Sequence, residues 1–380
     1  MGKDNNGKEL GKGISQRKDG RYQGRFTDRF GNRKCVYSKD LNTLRKKLAI
    51  EVADNENLTN RKNDITLDEW FDIWFSVYKS GLSEGTKVQY WNNYHKHLKD
   101  YFGHKKIHMI TKTDIQRFIN DYQANGYSYE TCNRLKIILV DMFNYAISDQ
   151  LLINNVAKKV KITGKDDYEA RVLTVEEEET FLRYAFGSIY ENFYYVALNT
   201  GLRPGELFAL KLDNDIDFDN KFINVSKTLT YQKYLGDECK EFHIVAPKTK
   251  KSNRKVPINS ICEKYLKRQY ELKKVIESKT NNHNDFLFVT SRNTPINSQI
   301  AIDSIKKVIS DINKTRYEID FFNDFSSHSF RHTFATRCLE KGIDAKVVQQ
   351  WLGHASINMT LDLYTHVTDE LSINDIEKLV

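Results

Sequence analysis

The sequence predicts a multidomain α+β protein, and three observations carry that prediction. At roughly 150 residues per domain, 380 residues are enough for two or three domains, each able to bury its own core. Near the amino terminus polar and apolar residues alternate as in strands, whereas from Thr66 to about Lys161 the apolar residues recur at helical spacing. The remainder mixes both patterns. We therefore expect a small N-terminal three-stranded sheet with one helix, a helical middle domain, and a mostly helical C-terminal domain with a small β-sheet.

Composition excludes several classes of protein. The 39% of hydrophobic residues provide enough apolar surface to offset the entropy of ordering, which excludes a wholly disordered chain. The mean hydropathy is −0.63, and the longest apolar runs fall far short of the roughly 18 residues that a membrane span needs. The first ten residues lack the apolar core of a signal peptide. Five scattered cysteines without a C-x-x-C pair predict a reduced, cytosolic protein with no structural zinc site.

The positive charge is concentrated in one short segment. Residues 1–47 contain 14 Lys and Arg against 5 Asp and Glu, a net charge of +9, whereas the whole chain carries +8. The other 333 residues therefore carry −1. Such asymmetry favours a polyanionic partner for the N-terminal segment, although a solvated basic tail has the same charge.

The local pattern of this segment favours a folded domain over a tail. A turn at residues 18–20 precedes a strand in which Arg21, Gln23 and Arg25 share one face and apolar side chains the other. A second strand at Arg33–Ser38 leads to a helix that Asp40 can cap. We expect residues 1–54 to form a DNA-binding domain whose open sheet face lies in a DNA groove.

Residues 55–64 read as a polar linker, and residues 65–163 predict an all-helical domain. Helix starts are expected at Thr66 or Asp68, at Ser83, at Thr113 and at Ser128. Lysines are dispersed over this domain, and an ordinary four-helix domain with a solvated surface is enough to explain them. The two lysines selected as candidates for DNA contact are Lys87 and Lys96.

A second linker at residues 164–171 precedes the C-terminal domain, residues 172–380. A helix start is expected at Thr174, two or three strands between residues 222 and 257, and a further strand at residues 286–289. Helices are expected at residues 299–312 and from Ser329 onward. The tail, about residues 366–380, is amphipathic, and it can pack on its own subunit or on a neighbour.

Five short islands in this domain carry polar residues in unusual places. They contain the segments TGLRPGEL, APKTK, HSFR, LGH and LDLYTH. The candidate functional residues in them are Arg203, Lys248, His328, Arg331, His354 and Tyr364. Each has an ordinary structural explanation when taken alone, because a helix-start arginine, a lysine in a turn or a tyrosine at the edge of a core is common.

Their order and spacing together are far more specific. The segments TGLRPGEL, PKTKKSNRKVPI, HSFRHTFAT and LGHASINMTLDLYTHV resemble the catalytic segments of the tyrosine recombinase (phage integrase) family. The similarity is greater to the integrases of conjugative transposons and related phages of Gram-positive bacteria. It extends to the N-terminal segment ISQRKDGRYQGRFTDRFGNRKCVYS, which is similar to their arm-binding domain. The helical middle would then be the core-binding domain, and residues 172–380 the catalytic domain.

The resemblance implies a role for each candidate in metal-free transfer of a phosphodiester. Arg203 and Arg331 would clamp the charge on the nonbridging oxygens, and His354 would hydrogen-bond the phosphate. Tyr364 would be the nucleophile and His328 its base. Lys248 would protonate the departing 5′-hydroxyl, with Lys250 and Lys251 as rivals that spacing alone does not exclude. We expect Glu206 to be a structural partner of Arg203.

The resemblance also implies the reaction and the partners. A 3′-phosphotyrosyl intermediate stores the bond energy, so that no cofactor and no metal are expected. The substrate would be double-stranded DNA with core and arm sites at the ends of a mobile element, which a homotetramer would integrate and excise. An accessory excision factor, a host DNA-bending protein and a place on the bacterial nucleoid in the cytoplasm, with no membrane partner, belong to the same expectation.

Two other functions compete with this one. A non-catalytic, sequence-specific DNA-binding regulator would need the basic sheet and the helical domain, but neither Tyr364 nor the H-x-x-R pair. A DNA-relaxing enzyme of the type IB topoisomerase class would share the chemistry, but would not need residues 1–54. The complete motif set disfavours the first, and the N-terminal sheet disfavours the second.

Overall fold

The computed structural model describes residues 2–5, 7–27, 32–57, 65–164, 170–246, 253–317 and 320–361. The chain divides into two compact units, residues 1–166 and residues 167–380. Each unit has its own buried apolar core. Within the described ranges, every helix falls short of the length or apolarity that crossing a bilayer requires.

The N-terminal part combines short antiparallel strands with one helix. Its elements are β1 (Gly2–Lys3), β2 (Glu9–Gly11), β3 (Ile14–Gln16), β4 (Tyr22–Thr27), β5 (Arg33–Ser38) and α1 (Leu41–Asn57). Strands β3, β4 and β5 form one sheet in that order, and α1 packs on one of its faces through the fully buried Leu44. The absence of a side chain at Gly24 allows the helix to pack closely on the sheet, since a Cβ atom there would lie 3.0 Å from Cδ2 of Leu48. The predicted three-stranded sheet with one helix is confirmed.

The two-stranded pair β1–β2 was not expected. Its residues are mostly Gly, Lys and Glu, and they lack the alternation of apolar residues that identifies a strand.

The rest of this unit is helical. Its elements are α2 (Leu67–Ile73), a π-helical segment (Trp74–Tyr78), α3 (Glu84–Asn93), a second π-helical segment (Tyr94–Gly103), a 3₁₀ turn (Ile107–Met109), α4 (Lys112–Ala124) and α5 (Tyr129–Ser148). The Thr66 side chain caps α2, and Ser128 caps α5, as predicted. The third start is wrong by two residues, because Thr111 caps α4 and forms a reciprocal capping box with Asp114.

The second unit is mixed and mostly helical. Its elements are α6 (Val175–Ala185), α7 (Glu191–Thr200), α8 (Pro204–Phe208), α9 (Leu212–Asp215), β6 (Ile216–Asp217), β7 (Phe222–Val225), β8 (Thr228–Gln232), β9 (Glu241–Val245), β10 (Arg254–Pro257), α10 (Ser260–Ser278), α11 (Ser298–Asn313), α12 (Ser327–Glu340), α13 (Ala345–Leu352) and α14 (Asn358–Leu361). Strands β10, β7 and β6 form one antiparallel sheet, and β8 and β9 form a separate hairpin.

Three expectations for this unit are corrected. Residues 222–257 contain four strands, β7 to β10, rather than the expected two or three, because β8 and β9 pair as a separate hairpin. Residues 286–289 do not form a strand: Phe286 and Val289 each make one isolated bridge, although the apolar residues between them are buried. An apolar run is therefore packed in the core without a continuous partner strand. Helix α12 begins at Ser327, two residues before the expected start, since Ser326 supplies the capping box. The tail at residues 366–380 lies outside the described residues.

Candidate active site

Arg203 occupies the sharp junction between helices α7 and α8. Helix α7 ends at Gly201, whose left-handed backbone (φ 59°) turns the chain, and Pro204 begins α8. The Arg203 backbone N–H donates to Glu206 Oε2 at 2.8 Å, and its Nη1 donates to Glu206 Oε1 at 2.9 Å. The Arg203 side chain is still 36% exposed, far more than that of its partner Glu206. The expected pairing of Arg203 with Glu206 is present in the structure.

Arg331 lies in the first half of helix α12 and is only 4% exposed. Its Nη1 donates to the Gly201 carbonyl at 2.8 Å, and its Nη2 donates to the Leu352 carbonyl at 2.6 Å. Burial, with the positive charge of Arg203, lowers the pKa of Arg331 to about 9, which leaves it protonated at neutral pH. This buried cation therefore joins the turn that precedes Arg203 to the end of helix α13.

His354 follows the glycine that ends helix α13. Gly353 is left-handed (φ 65°) and places the next residue in the site, where the imidazole is 8% exposed. The His354 Nδ1 atom lies 2.9 Å from the Thr360 hydroxyl, which is itself fully buried. Burial, with the positive charges of Arg331 and Arg203, lowers the pKa of His354 to about 3. The ring is therefore neutral at physiological pH.

His328 stands one turn before Arg331 on helix α12, as the i, i+3 spacing predicts. Its side chain is exposed, unlike that of Arg331. Partial removal of the ring from water, together with the positive charges of Arg331 and Arg203, lowers the pKa of His328 below its usual value. At neutral pH this imidazole is unprotonated and able to accept a proton.

Sequence reasoning missed Arg254, the first residue of strand β10. Its side chain is 6% exposed, and it donates from Nη1 and Nη2 to both carboxylate oxygens of Glu206 at 2.9 and 2.8 Å. Its Nε donates to the Trp351 carbonyl. A signal was available, because Arg254 lies two residues before the buried Val256 and hence on the inward face of the strand.

The end of helix α13 collects three guanidinium groups. The carbonyl oxygens of residues 351, 352 and 353 accept hydrogen bonds from Arg254, Arg331 and Arg203 respectively. These carbonyls have no partner within the helix and carry the negative end of its dipole, which cations stabilise. Among the described residues, the Glu206 carboxylate is paired with Arg203 and Arg254, and a cluster this rich in guanidinium groups suits a phosphate group.

The acidity of Glu206 follows from the same arrangement. Burial alone would raise the pKa of this carboxyl, but the hydrogen bonds and charge of Arg254, with those of Arg203, hold it below its usual value. Glu206 is therefore an anion at neutral pH that holds two arginines in place.

The structure thus brings together four of the six predicted catalytic residues. They are Arg203, His328, Arg331 and His354. Lys248 and Tyr364 lie outside the described residues.

The predicted DNA-contacting residues of the N-terminal sheet differ in their surroundings. Arg21 pairs with Asp19 at 2.8 Å in the turn, and Arg25 is exposed on the open face. Gln23 lies on that face too, but its side chain is 8% exposed. It donates to the Tyr37 hydroxyl at 3.2 Å and to Cys35, which are its neighbours across the strand pair. Gln23 therefore lies on the predicted face with most of its amide covered by cross-strand side chains, and its contact with DNA stays a prediction.

Two further residues of the open face were not singled out from the sequence. Register places Arg33 opposite Thr27 and Tyr37 opposite Gln23, and both side chains are exposed. Period-2 alternation within β5 could have identified them, because Val36 points to the helix.

The two candidate lysines of the helical domain lie on adjoining helical segments. Lys87 on α3 pairs with Glu84 at 2.8 Å and is 21% exposed. Lys96 is exposed in the second π-helical segment.

Among the described residues, one group of side chains has the spacing of metal ligands. Asp237, Glu241 and His243 at the end of hairpin β8–β9 have donor atoms within 4.8 Å of one another. Two of them are already engaged: His243 Nε2 lies 3.2 Å from Asp237, and Asp237 accepts the Tyr234 N–H at 2.7 Å. No catalytic candidate belongs to this group.

Comparison with known protein families covers most of the chain. Residues 171–370 match the phage integrase family, residues 66–122 match the N-terminal SAM-like domain of phage integrases, and residues 1–68 match the DNA-binding domain of Tn916 integrase.

Individual relatives agree with these matches. The transposase from transposon Tn916 of Enterococcus faecalis is 30% identical over 99% of this chain and 96% of its own length. Among solved structures, the Tn1549 transposon integrase in complex with a circular intermediate DNA is 24% identical, with a TM-score of 0.71, over 83% of this chain and 100% of that one. The lambda integrase tetramer bound to a Holliday junction is 18% identical, with a TM-score of 0.59, over 92% and 97%.

Proposed function

The chain belongs to the phage integrase family, and from that premise we propose that its arginine cluster binds the phosphodiester that Tyr364 attacks. The protein is a tyrosine recombinase of the conjugative-transposon type, an enzyme that breaks and rejoins DNA. The observation that carries the proposal is the convergence of Arg203 and Arg331 on one helix end, where the bound carbonyls fix both guanidinium groups. A fixed pair of planar donors suits two nonbridging phosphate oxygens.

The two histidines supply the neutral groups of the proposed site. When the Thr360 hydroxyl donates to Nδ1 of His354, the ring's N–H is at Nε2 and can donate to a phosphate oxygen. The lowered pKa of His328 keeps that ring unprotonated, so that it can take the phenolic proton of Tyr364. The positive charge of the arginines favours the phenolate that results.

The covalent step is balanced by two proton transfers. The Tyr364 oxygen forms a bond to phosphorus, and the bond from phosphorus to the 5′-oxygen breaks, which leaves a 3′-phosphotyrosyl linkage. His328 takes the proton from the phenol, and Lys248 gives one to the departing 5′-oxygen. Lys250 and Lys251 are the alternative donors. Rejoining reverses each transfer, with a 5′-hydroxyl of another duplex as the attacking group.

The partners follow from the same premise. The N-terminal sheet would bind arm sites, and Lys87 and Lys96 of the helical domain would lie against the core site, both by phosphate contacts. A homotetramer on DNA is supported by the lambda integrase tetramer on a Holliday junction, which shares the fold. An accessory excision factor, a host DNA-bending protein and residence on the bacterial nucleoid complete the proposal.

The test is covalent attachment to a nicked duplex that carries an element end, detected on a denaturing gel. We expect the unaltered chain to form the adduct and Tyr364→Phe to form none, while both bind the duplex equally. Tyr317→Phe is the matched control, because that tyrosine is 86% exposed and is not among the residues of the proposed site. An adduct on Tyr364→Phe would remove the assignment of the nucleophile, and no adduct on the unaltered chain would remove the proposed function.

A further inference from the structure

Arg254 is more deeply buried than Arg203 and connects the two parts of the cluster. On one side its two Nη atoms bind both oxygens of Glu206, and on the other its Nε binds the Trp351 carbonyl. Glu206 in turn holds Arg203, and Trp351 lies just before the turn that carries His354. One buried side chain thus reaches both of these groups.

The turn is shaped to accept this side chain. A Cβ atom on Gly353 would lie 3.1 Å from Cδ, 3.2 Å from Nε and 3.3 Å from Cζ of Arg254. The guanidinium therefore lies directly against the backbone of the turn. The bonds from Nη1 and Nη2 to Glu206 and from Nε to the Trp351 carbonyl lie in the plane of the guanidinium and point in two directions. A lysine could not reproduce them, because its donors are all on one atom.

Competition for Glu206 gives Arg254 its importance for Arg203. Glu206 is 5% exposed, and both of its oxygens are taken by Arg254, so that the Arg203 side chain makes one bond to it. Without Arg254, each oxygen of the buried carboxylate would keep a single bond from Arg203, and the less compensated charge would draw a second nitrogen of the Arg203 guanidinium towards it. That pairing would draw the Arg203 guanidinium away from solvent, from where a phosphate must arrive.

We propose that Arg254 is a positioning residue: by binding both oxygens of Glu206 and the Trp351 carbonyl, it keeps Arg203 directed at the scissile phosphate and fixes the turn before His354. This inference rests on the proposed function, since it assigns Arg203 to the phosphate.

The experiment compares Arg254→Lys with Arg268→Lys in the full chain. Arg268 also pairs with a buried glutamate, Glu191, at 3.1 Å, and it serves as the control for loss of an arginine–glutamate pair. Each protein is mixed in excess with two nicked duplexes, one with an ordinary scissile phosphodiester and one with a methylphosphonate there. The methylphosphonate lacks the negative charge of one nonbridging oxygen, so covalent attachment to it depends less on the arginines. The rate of covalent attachment, the DNA dissociation constant and the thermal midpoint are measured.

For Arg254→Lys we expect covalent attachment to the phosphodiester to slow by about tenfold or more. Attachment to the methylphosphonate should slow by about threefold or less, and the DNA dissociation constant should not change. Arg268→Lys should match the unaltered chain on both duplexes. Equal rates for the two variants would overturn the inference, and so would equal losses on both duplexes, which indicate general disturbance of packing. Failure of the unaltered chain to attach to either duplex would instead overturn the proposed function.

A second variant covers the case in which Arg254→Lys does not fold. Glu206→Gln keeps the shape of the side chain and both arginines, but its amide presents donors to a guanidinium that is itself a donor. The same selective loss on the phosphodiester is expected. An undiminished rate for Glu206→Gln would overturn the inference, because Arg254 acts on Arg203 through this carboxylate.

Discussion

Nη2 of Arg331 lies 2.6 Å from the carbonyl oxygen of Leu352, and this hydrogen bond joins helix α12 to the end of helix α13. The second Nη of the same guanidinium holds the Gly201 carbonyl on the opposite side. Arg203 differs, since it is 36% exposed and its side chain donates to Glu206 and, at 3.2 Å, to the Gly353 carbonyl. The two arginines of the proposed phosphate clamp therefore contribute unequally to the fold.

This difference predicts unequal stability losses on truncation. Arg331→Ala leaves two buried carbonyls without donors, and we expect it to lower the free energy of unfolding by about 2–4 kcal/mol. Arg203→Ala should cost about 1 kcal/mol, because Glu206 keeps Arg254 and the Gly353 carbonyl that loses its donor belongs to a half-buried residue. Both variants should lose covalent attachment to DNA. Urea unfolding measures the stabilities, and equal losses would contradict the bracing role of Arg331.

A glycine that shapes the same site provides the second prediction. Gly201 has φ 59°, and a Cβ atom there would lie 2.3 Å from Cδ1 of Phe334 and 2.8 Å from Cδ2 of Leu352. Gly187 is also left-handed (φ 76°), but a Cβ atom there has at least 4 Å of room among the described residues. Gly187→Ala should cost roughly 1–2 kcal/mol of unfolding free energy for the left-handed backbone alone. Gly201→Ala should cost about 1–3 kcal/mol more, because the methyl group overlaps the half-buried Phe334 and the buried Leu352.

The same urea titration measures both glycine variants. A Gly201→Ala protein no less stable than Gly187→Ala would mean that Phe334 and Leu352 move aside without cost. In that case the turn before Arg203 would not be fixed by packing.

Local signals explain what could be predicted from the sequence. The starts at Thr66, Ser128 and Thr174 depend on side chains within three residues of the cap, and they are where the pattern places them. Spacing within one helix is local too, which is why His328 and Arg331 share a face. Thr113 directly precedes Asp114 and so has the pattern of a helix start, but the reciprocal bonds of Asp114 are made with Thr111, which caps the helix.

Contacts between distant segments explain the rest. Glu206 and Arg254 are 48 positions apart, and each appears in sequence as an ordinary surface charge until β10 brings them together. Gln23 occupies the predicted face, but the cross-strand neighbour that covers it, Tyr37, is fixed by the register of β4 with β5. No periodicity within one segment contains that information.

The buried imidazole predicts a dependence of stability on pH. His354 has a folded-state pKa of about 3 against an ordinary value of 6.5, so that between these values the unfolded chain binds a proton and the folded chain does not. The contribution of the neutral His354 to the free energy of unfolding is therefore complete above pH 6.5, and it is lost as the pH falls towards 3. From pH 7 to pH 5 this one histidine should remove about 2 kcal/mol of unfolding free energy.

Substitution isolates the contribution of His354. In His354→Gln the loss of stability between pH 7 and pH 5 should be smaller than in the unaltered chain by that amount. His332, whose pKa burial lowers to about 4, continues to titrate in both proteins. His283→Gln is the control, since that side chain is 77% exposed. An unchanged pH dependence in His354→Gln, measured by urea unfolding at the two pH values, would contradict the neutral buried ring.

The open face of the N-terminal sheet predicts how DNA binding responds to salt. Arg25 is exposed on that face, and a phosphate contact there releases about one counterion, so Arg25→Ala should lower the slope of log affinity against log salt by about 1 for arm-site DNA. Gln23→Ala should leave the slope unchanged but loosen the sheet, because the buried amide bonds Tyr37. Arg45, on helix α1 and bonded to the Leu10 carbonyl, is the matched control, and Arg45→Ala should keep the full slope.

Fluorescence anisotropy across a salt series measures all three variants. If Arg25→Ala and Arg45→Ala lowered the slope equally, the contact would be diffuse attraction to the whole basic segment, because only a face-specific contact separates the two arginines.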